Sequence, residues 1–238
     1  MNTDSSDPRG PSKSAFIRVY LCLSVVAVLL LPGFAAAQDR IAVEDLKLRS
    51  DAGDKSATRQ LAEMYYVGRD GVGQDFGEAA RWYERLAKQG DARAQSSLGL
   101  MYARGYGVPR NLDTARRWWS FAAAQNDPAA QYNLGVLYAT GEGVPQDYAQ
   151  AGHWLRQAAQ RGHVQAQHNL GMLHHEGKGV ERDPLRAYFW IKVAALQGDE
   201  VSETTLAAVG GKMSTSQLQQ ADREAADWMK QNKKTLSK

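Results

Sequence analysis

Apolar residues between Ala130 and Gly162 follow the spacing of two amphipathic helices. Small and apolar side chains recur every three to four residues in the first part of this stretch and again in its last part. The intervening GEGVPQD begins with a glycine suited to end the first helix in a left-handed conformation, and Asp147 is placed to cap the second. The pattern predicts a helical hairpin.

This hairpin pattern returns along the chain at a constant interval of 36 residues. The interval separates the tryptophans Trp82, Trp118, Trp154 and Trp190. Residues suited to cap the second helix recur in the same register at Asp75, Asn111, Asp147 and Asp183. Such self-similarity is typical of a solenoid, in which each hairpin buries its apolar face against its neighbours. We therefore expect the tryptophans in the core, where helices pack against each other.

Three segments carry a family resemblance: LGLMYARGYGV, LGVLYATGEGV and LGMLHHEGKGV. Each is followed by Asp or Asn, an alanine, a tryptophan and an alanine pair, and the whole resembles Sel1-like repeats, which are relatives of tetratricopeptide repeats. The first unit departs from this pattern, with Ala62 in place of the glycine and one extra loop residue. The resemblance implies an all-α, right-handed α/α superhelical solenoid that binds protein or peptide partners.

The repeats predict a division of the chain into a leader, a repeat array and caps. Residues 38–53 are predicted to be an N-terminal capping half repeat, and residues 199–238 to be C-terminal capping helices with a frayed tail. In the second of these segments, Ser214 and Gln217 are spaced as a capping box that opens the last helix. The array itself, residues 54–198, divides into four repeats: 54–90, 91–126, 127–162 and 163–198.

The first 37 residues have the pattern of a secretory signal peptide. Basic residues precede an apolar run from Val19 to Leu31, and the small residues Ala35–Ala37 follow it. The apolar run of thirteen residues is shorter than the roughly 20 needed to cross a bilayer. Cleavage before Gln38 and a periplasmic location are therefore predicted, with an uncleaved membrane anchor as the alternative.

Removal of the leader would leave a nearly neutral chain without cysteine. It takes away three basic and two acidic residues, so 26 Lys plus Arg stand against 24 Asp plus Glu, a net charge of +2. This charge balance produces no long-range electrostatic field that would attract nucleic acid or an anionic membrane surface. The single cysteine, Cys22, lies in the leader, so stability is expected to come from stacked helices. The sequence gives no indication of oligomeric state.

The sequence displays no pattern for catalysis, for a metal ion or for another cofactor. No serine is followed by lysine three residues later, and the Gly-x-Gly loops lack the Lys-Ser/Thr of a phosphate loop. His174 takes the slot of Tyr102 and Tyr138 and is expected in the core. The five histidines lie in the third and fourth repeats, but no pair has the i, i+4 spacing that suits a metal: His153, His163, His168, His174 and His175.

Partner binding is expected on the concave face that the first helices of the repeats would line. The candidates occupy equivalent positions in successive repeats and positions one turn further on: Gln60, Ser97, Met101, Asn133, Leu137, Asn169 and Leu173. Asn133 and Asn169 have a second interpretation of equal weight, which is hydrogen bonding to nearby backbone. A carboxylate clamp of the tetratricopeptide type is disfavoured, because the slot after the repeat glycine holds Leu100, Val136 and Met172 rather than asparagine.

The sequence thus predicts an exported, non-enzymatic interaction module, an adaptor or regulator that binds a protein or peptide partner of the cell envelope. Neither nucleic acid nor membrane insertion after cleavage is expected. The alternative is an envelope hydrolase that acts on peptidoglycan or β-lactams. That function would need paired titratable groups that the sequence does not display.

Overall fold

The computed structural model describes the backbone of residues 32–233 and the side chains of residues 42–233. Every regular element in this part is an α-helix, which confirms the predicted all-α class. Residues 1–31 of the predicted leader and the last five residues of the predicted tail lie outside it. The eleven helices of the described part are α1 (Pro32–Asp51), α2 (Lys55–Val67), α3 (Phe76–Lys88), α4 (Ala92–Arg104), α5 (Leu112–Ala124), α6 (Pro128–Thr140), α7 (Tyr148–Gln160), α8 (Val164–Glu176), α9 (Pro184–Ala195), α10 (Glu200–Gly210) and α11 (Thr215–Gln231).

The described residues fall into two compact units, one that ends at residue 74 and one that begins at residue 75. The first contains α1 and α2, which pack against each other. Asp54 caps α2, because its carboxylate accepts the backbone N–H of Ser56 at 2.8 Å and pairs with Arg49 at 2.7 Å. The buried hydroxyls of Ser50 and Thr58 hydrogen bond across the two helices at 2.7 Å.

Helix α1 is longer than the capping helix that the sequence predicts. The capping half repeat was expected over residues 38–53, whereas α1 begins at Pro32, ends at Asp51 and spans the predicted cleavage site before Gln38. Within residues 32–233, no helix combines the length and the apolar character needed to cross a membrane.

The second unit is a stack of helical hairpins. Helix α3 packs on α4, and the hairpins α4–α5, α6–α7 and α8–α9 follow, each packed on the next. The first helices α4, α6 and α8 also contact one another in sequence, and they form what we call the first-helix face. Helices α10 and α11 both pack on α9 and end the stack.

The polar residues predicted to cap the second helices are confirmed in that role. Each accepts hydrogen bonds from backbone N–H groups of the first turn: Asp75, Asn111, Asp147 and Asp183. The first helices end as predicted at glycines in the left-handed conformation, with φ of +72°, +72° and +71° at Gly105, Gly141 and Gly177. Local chemistry therefore fixes where each helix of a repeat begins and ends.

Glycines inside the first helices let the two helices of a hairpin approach closely. A Cβ atom on Gly135 would lie 2.6 Å from Cγ of Leu155, and one on Gly99 would lie 2.6 Å from the ring of Trp119. Glycine in a helix interior is otherwise unfavourable by roughly 0.5–1 kcal/mol relative to alanine. Close packing thus explains why this position of the repeat is glycine.

Of the tryptophans of the 36-residue series, only the last is buried. Trp154 packs against the core cluster between α5 and α6, and Trp190 belongs to the cluster formed with α7 and α8. Trp82, Trp118 and Trp154 are half-buried, so the expectation of full core placement is wrong for these three. The position buried in every repeat is the next residue: Tyr83, Trp119, Leu155 and Ile191.

A row of buried glutamines in the first helices was not recognised from the sequence. Their side-chain amides donate to carbonyl groups near the end of the preceding second helix, each of which also accepts the backbone N–H three residues further on. The three bonds join Gln95 to Ala87, Gln131 to Ala123 and Gln167 to Ala159, at 3.0, 3.3 and 3.1 Å. The glutamines recur every 36 residues, so the same periodicity that located the repeats could have found them.

The C-terminal helices α10 and α11 pack on α9 at the end of the last repeat. Ser214 and Gln217 make the reciprocal capping box expected at the start of α11. On the other end of that helix, the ring of Trp228 meets Trp190 edge to face, with centroids 5.9 Å apart. This contact explains why Trp190 is buried, whereas the earlier tryptophans of the series are half-buried.

Candidate functional site

A groove on the first-helix face lies between α4 and α6, with α5 behind it. Its volume is about 340 Å³. Apolar side chains form its floor, including Leu100, Val136 and the buried Trp119. Polar side chains stand around them: Arg104, Arg110, Asn133, Thr140 and Glu142. We call this cavity the α4–α6 groove.

An ion pair between two repeats closes one end of the α4–α6 groove. The Arg110 guanidinium donates its Nε–H to the carbonyl of Ala103 at 3.1 Å and pairs through Nη2 with Glu142 of the next repeat. Both side chains are more than half exposed, so the pair contributes little to stability, in the range of about 0–1 kcal/mol. The pair joins the loops of two successive repeats at the edge of the groove.

Arg104 leaves a positive charge at the rim of the groove. Its side chain is exposed, and within residues 42–233 it has no ion-pair partner. Because Arg110 and Glu142 neutralise each other, the lining carries a net charge of +1. An apolar floor beside a free guanidinium suits a segment that carries both an apolar side chain and a polar or acidic group.

The predicted partner-binding strip is only partly accessible. Met101, Leu137 and Leu173 have exposed fractions of 0%, 5% and 7%, so the expectation that they present a surface to a partner is wrong. Leu137 packs in a core cluster with α5, and Leu173 packs in one with α7, which in each case is the second helix of the preceding hairpin. Leu137 still reaches the floor of the α4–α6 groove from the side.

The polar members of the predicted strip are better placed. Ser97, Asn133 and Asn169 are half-buried, and Asn133 lines the α4–α6 groove. Gln60 is exposed on α2 of the first unit. Whether these residues bind a partner stays a prediction.

The groove residues that sequence analysis missed lie one position away from the predicted strip. Leu100 and Val136 are half-buried and line the groove, whereas Met101 beside Leu100 is enclosed and Leu137 beside Val136 is mostly buried and only borders the groove. One residue rotates a side chain by about 100° around a helix, so an error of one position exchanges surface and core. Both neighbours are apolar, and the sequence pattern alone does not distinguish them.

The histidines make local structural contacts. His174 is buried as predicted, and its Nδ1 lies 3.0 Å from the carbonyl oxygen of Glu181. His163 caps α8 through Nδ1 and stacks on Tyr132, and burial lowers the pKa of its imidazole. In the part of the chain that the structure describes, no group of three or more His, Cys, Asp or Glu side chains is arranged to hold a metal ion.

One cluster contains the three residue types of a serine hydrolase. Nδ1 of His168 lies 2.8 Å from Oγ of Ser202 and 4.0 Å from a carboxylate oxygen of Asp199. A catalytic histidine needs one ring nitrogen for the serine and the other for the carboxylate, but here Nδ1 faces both. Ser202 is also fully buried, with an exposed fraction of 0%. This cluster therefore closes α10 onto α8 and offers no nucleophile to a substrate.

Comparison with known proteins identifies the repeats. The sequence model of the Sel1 repeat family matches residues 55–91, 92–127, 128–163 and 164–199. A comparison with curated proteins gave no match.

Solved structures agree with this assignment. A protective antigen present in uropathogenic Escherichia coli strains, which displays an SLR fold, is 33% identical, with a TM-score of 0.75 over 82% of this chain and 42% of that one. A Sel1 repeat protein from Oxalobacter formigenes is 30% identical, with a TM-score of 0.63 over 78% of this chain and 84% of that one. The chain thus spans less than half the length of the Escherichia coli protein. With four consecutive repeats matched and the helical hairpins in place, the chain belongs to the Sel1 repeat family, whose members are generally protein-interaction scaffolds.

Proposed function

We propose that this chain is an exported adaptor or regulator that holds a protein or peptide partner of the cell envelope on the concave face of its repeats, in the α4–α6 groove. The observation that carries the proposal is the groove itself, with an apolar floor of Leu100 and Val136 beside the free guanidinium of Arg104. The family supports the general activity, because Sel1 repeats mediate protein–protein interaction. Asn133, at the centre of the lining, is suited to hydrogen bond with the backbone of a bound segment.

An enzymatic function receives no support from the arrangement of groups. Sel1 repeat proteins are typically non-enzymatic scaffolds. The Ser202, His168 and Asp199 cluster lacks an accessible nucleophile, as described above. Turnover of a β-lactam or of peptidoglycan by the purified chain would nevertheless contradict the scaffold proposal directly.

A charged side chain in the groove is expected to abolish partner binding without unfolding the helices. Val136→Glu places a carboxylate among the apolar side chains of the floor, and glutamate is a good helix former. Peptides selected from a random phage-displayed library against the purified chain should bind this variant at least roughly tenfold more weakly, which corresponds to about 1.4 kcal/mol. Binding is measured by isothermal titration calorimetry, and circular dichroism checks the fold.

The matched control for Val136→Glu is Gln150→Glu. It adds the same charge at an exposed position of the second helix α7, away from the groove. The control should bind the selected peptides as the unmodified chain does. Equal binding by both variants would mean that recognition lies elsewhere on the molecule.

Export is expected to remove the leader. The motivating pattern is the apolar run up to Leu31 followed by Ala35–Ala37. Amino-terminal sequencing of the protein recovered from the periplasm should therefore begin at Gln38. Recovery of the intact chain in the membrane fraction would instead support the anchored alternative.

A further inference from the structure

A second cavity lies where the C-terminal helices close onto the last repeat. Its volume is about 270 Å³, and it is formed by the ends of α8 and α10, the start of α9 and the start of α11. The side chains that line it are basic, apolar or uncharged: His175, Arg182, Pro184, Ala208, Val209, Lys212, Met213 and Gln217. We call it the C-terminal cavity.

The C-terminal cavity occupies the same place in the repeat architecture as the α4–α6 groove. Its lining residues follow residues of that groove by 72 positions, which is two repeats. The equivalent pairs are Ala103 and His175, Arg110 and Arg182, Leu112 and Pro184, Val136 and Ala208, Leu137 and Val209, and Thr140 and Lys212. Helix α10 thus stands where α6 stands in the earlier site.

The two arginines make the same backbone contact in both sites. Arg110 Nε donates to the carbonyl of Ala103 at 3.1 Å, and Arg182 Nε donates to the carbonyl of His175 at 3.2 Å. This bond fixes the guanidinium beside the cavity and leaves its Nη groups for another partner. In the α4–α6 groove that partner is Glu142.

The C-terminal cavity lacks the equivalent carboxylate. The residue 72 positions after Glu142 is Ser214, which caps α11. Within residues 42–233, the Nη groups of Arg182 have no acidic partner, and neither has Lys212, which adds a second positive charge where the groove has Thr140. The C-terminal cavity therefore carries the two positive charges of Arg182 and Lys212, and it lacks the carboxylate that Glu142 supplies in the α4–α6 groove.

We propose that the C-terminal cavity binds a carboxylate of a peptide together with a neighbouring apolar side chain. The carboxylate lies between Arg182 and Lys212, where Arg182 supplies paired N–H donors that match the geometry of a carboxylate. The apolar side chain lies against Val209 and Met213. This site is separate from the α4–α6 groove, and it does not use an asparagine after the repeat glycine. The carboxylate belongs either to the carboxyl terminus of the peptide or to an Asp or Glu side chain.

Three short peptides separate these two sources. Acetyl-Gly-Gly-Leu with a free carboxyl terminus offers a terminal carboxylate, acetyl-Gly-Gly-Leu-amide offers none, and acetyl-Leu-Glu-Gly-amide offers a side-chain carboxylate. Backbone amide shifts of residues 208–213 on titration of the full chain, followed by nuclear magnetic resonance, report binding at the cavity. One or both carboxylate peptides should bind at least roughly tenfold more tightly than the peptide without a carboxylate. Equal affinity of all three peptides, or no binding by any of them, overturns the proposal.

Removal of either cation should weaken the binding of the carboxylate peptides and leave the other peptide unaffected. Arg182→Gln and Lys212→Gln are each expected to reduce affinity by roughly tenfold, because a charge-assisted hydrogen bond is lost. Lys212 is exposed and takes part in no ion pair with a described residue, so its substitution tests the site even if Arg182→Gln disturbs the loop. The control is Arg223→Gln, which removes a positive charge from an exposed position of α11 outside the cavity. A control that weakens binding as much as Lys212→Gln would assign the effect to net charge and overturn the site.

The equivalence of the two sites also allows a gain of function. Thr140→Lys combined with Glu142→Ser gives the α4–α6 groove a lysine and an unpaired arginine at the positions of Lys212 and Arg182, in addition to its own Arg104. The double variant should bind the same carboxylate peptide at a second location, seen as new amide shifts in residues 136–142. Absence of that second site in a folded double variant would show that the missing counter-ion does not create binding.

Discussion

Replacing Gly179 with alanine is expected to destabilise the repeat array by about 4 kcal/mol or more. Gly179 is the second glycine of the loop between α8 and α9 and has a φ of +67°. A Cβ atom there would overlap the carbonyl carbon and oxygen of Tyr148, at the start of α7 in the preceding repeat. The obstacle is backbone, and moving it would break the contact between repeats. Urea unfolding followed by circular dichroism measures the loss.

The matched control for Gly179→Ala is Gly198→Ala. Gly198 has a φ of +87°, but a Cβ atom there would meet nothing within 4 Å. Its substitution should therefore cost only the strain of the left-handed conformation, about 1–2 kcal/mol. Losses of equal size would show that conformational strain alone governs these loops and that the contact with the preceding repeat is unimportant.

The same contact explains why the Gly-x-Gly loops are part of the framework. Gly107 approaches the backbone of Phe76 just as Gly179 approaches that of Tyr148, and a Cβ on Gly143 would lie 2.9 Å from the side chain of Leu112. In each case the second glycine of one repeat touches the start of the second helix of the repeat before. This structural role agrees with the sequence, because the loops lack the Lys-Ser/Thr of a phosphate site.

The fold could be predicted because its determinants are local and repeated. A capping residue such as Asp147 and a terminating glycine such as Gly141 act within a few residues of their own position. Repetition every 36 residues then shows the same signal several times in one chain. Helix boundaries, hairpins and the C-terminal capping box were therefore all accessible to sequence reasoning.

The groove could not be predicted because it depends on how helices of different repeats pack. Leu100 and Met101 are adjacent apolar residues, yet only Leu100 lines the α4–α6 groove, while Met101 is enclosed. The ion pair of Arg110 and Glu142 joins residues that are 32 positions apart in the sequence. The pattern within one repeat cannot predict such a contact. Only the stacked helices determine which of two apolar neighbours lines the groove.

Periodicity also misplaced the buried aromatic position, for a specific reason. Tryptophan recurs at positions 82, 118, 154 and 190, so an alignment of the repeats by residue identity selects that position. The buried slot beside it holds Tyr83, Trp119, Leu155 and Ile191, which share size and apolar character but not identity. A search for identical residues therefore finds the tryptophan series and misses the neighbouring position, which is buried in all four repeats.

Trp118 and Trp119 are neighbours in α5, so their separate substitution compares the half-buried position with the buried one. Trp119→Ala is expected to cost about 3–5 kcal/mol in the free energy of unfolding. The Trp119 side chain is buried, with an exposed fraction of 5%. Its ring packs against Gly99 of α4, where a Cβ atom would collide with it, and its Nε1–H donates to the carbonyl of Ser96 at 3.2 Å. Its removal would leave a cavity between the helices of the hairpin and would also remove this hydrogen bond.

Trp118→Ala is the control, since it removes the same side chain from the neighbouring position of the same helix. Trp118 is half-buried and meets Phe121 edge to face at 5.9 Å, and Phe121 is itself exposed. Water can therefore occupy most of the space that its ring vacates, and the expected loss is about 1 kcal/mol. Both variants are compared by thermal and urea unfolding of the full chain. A larger loss for Trp118→Ala than for Trp119→Ala would show that the tryptophan series holds the repeats together and that the neighbouring slot does not.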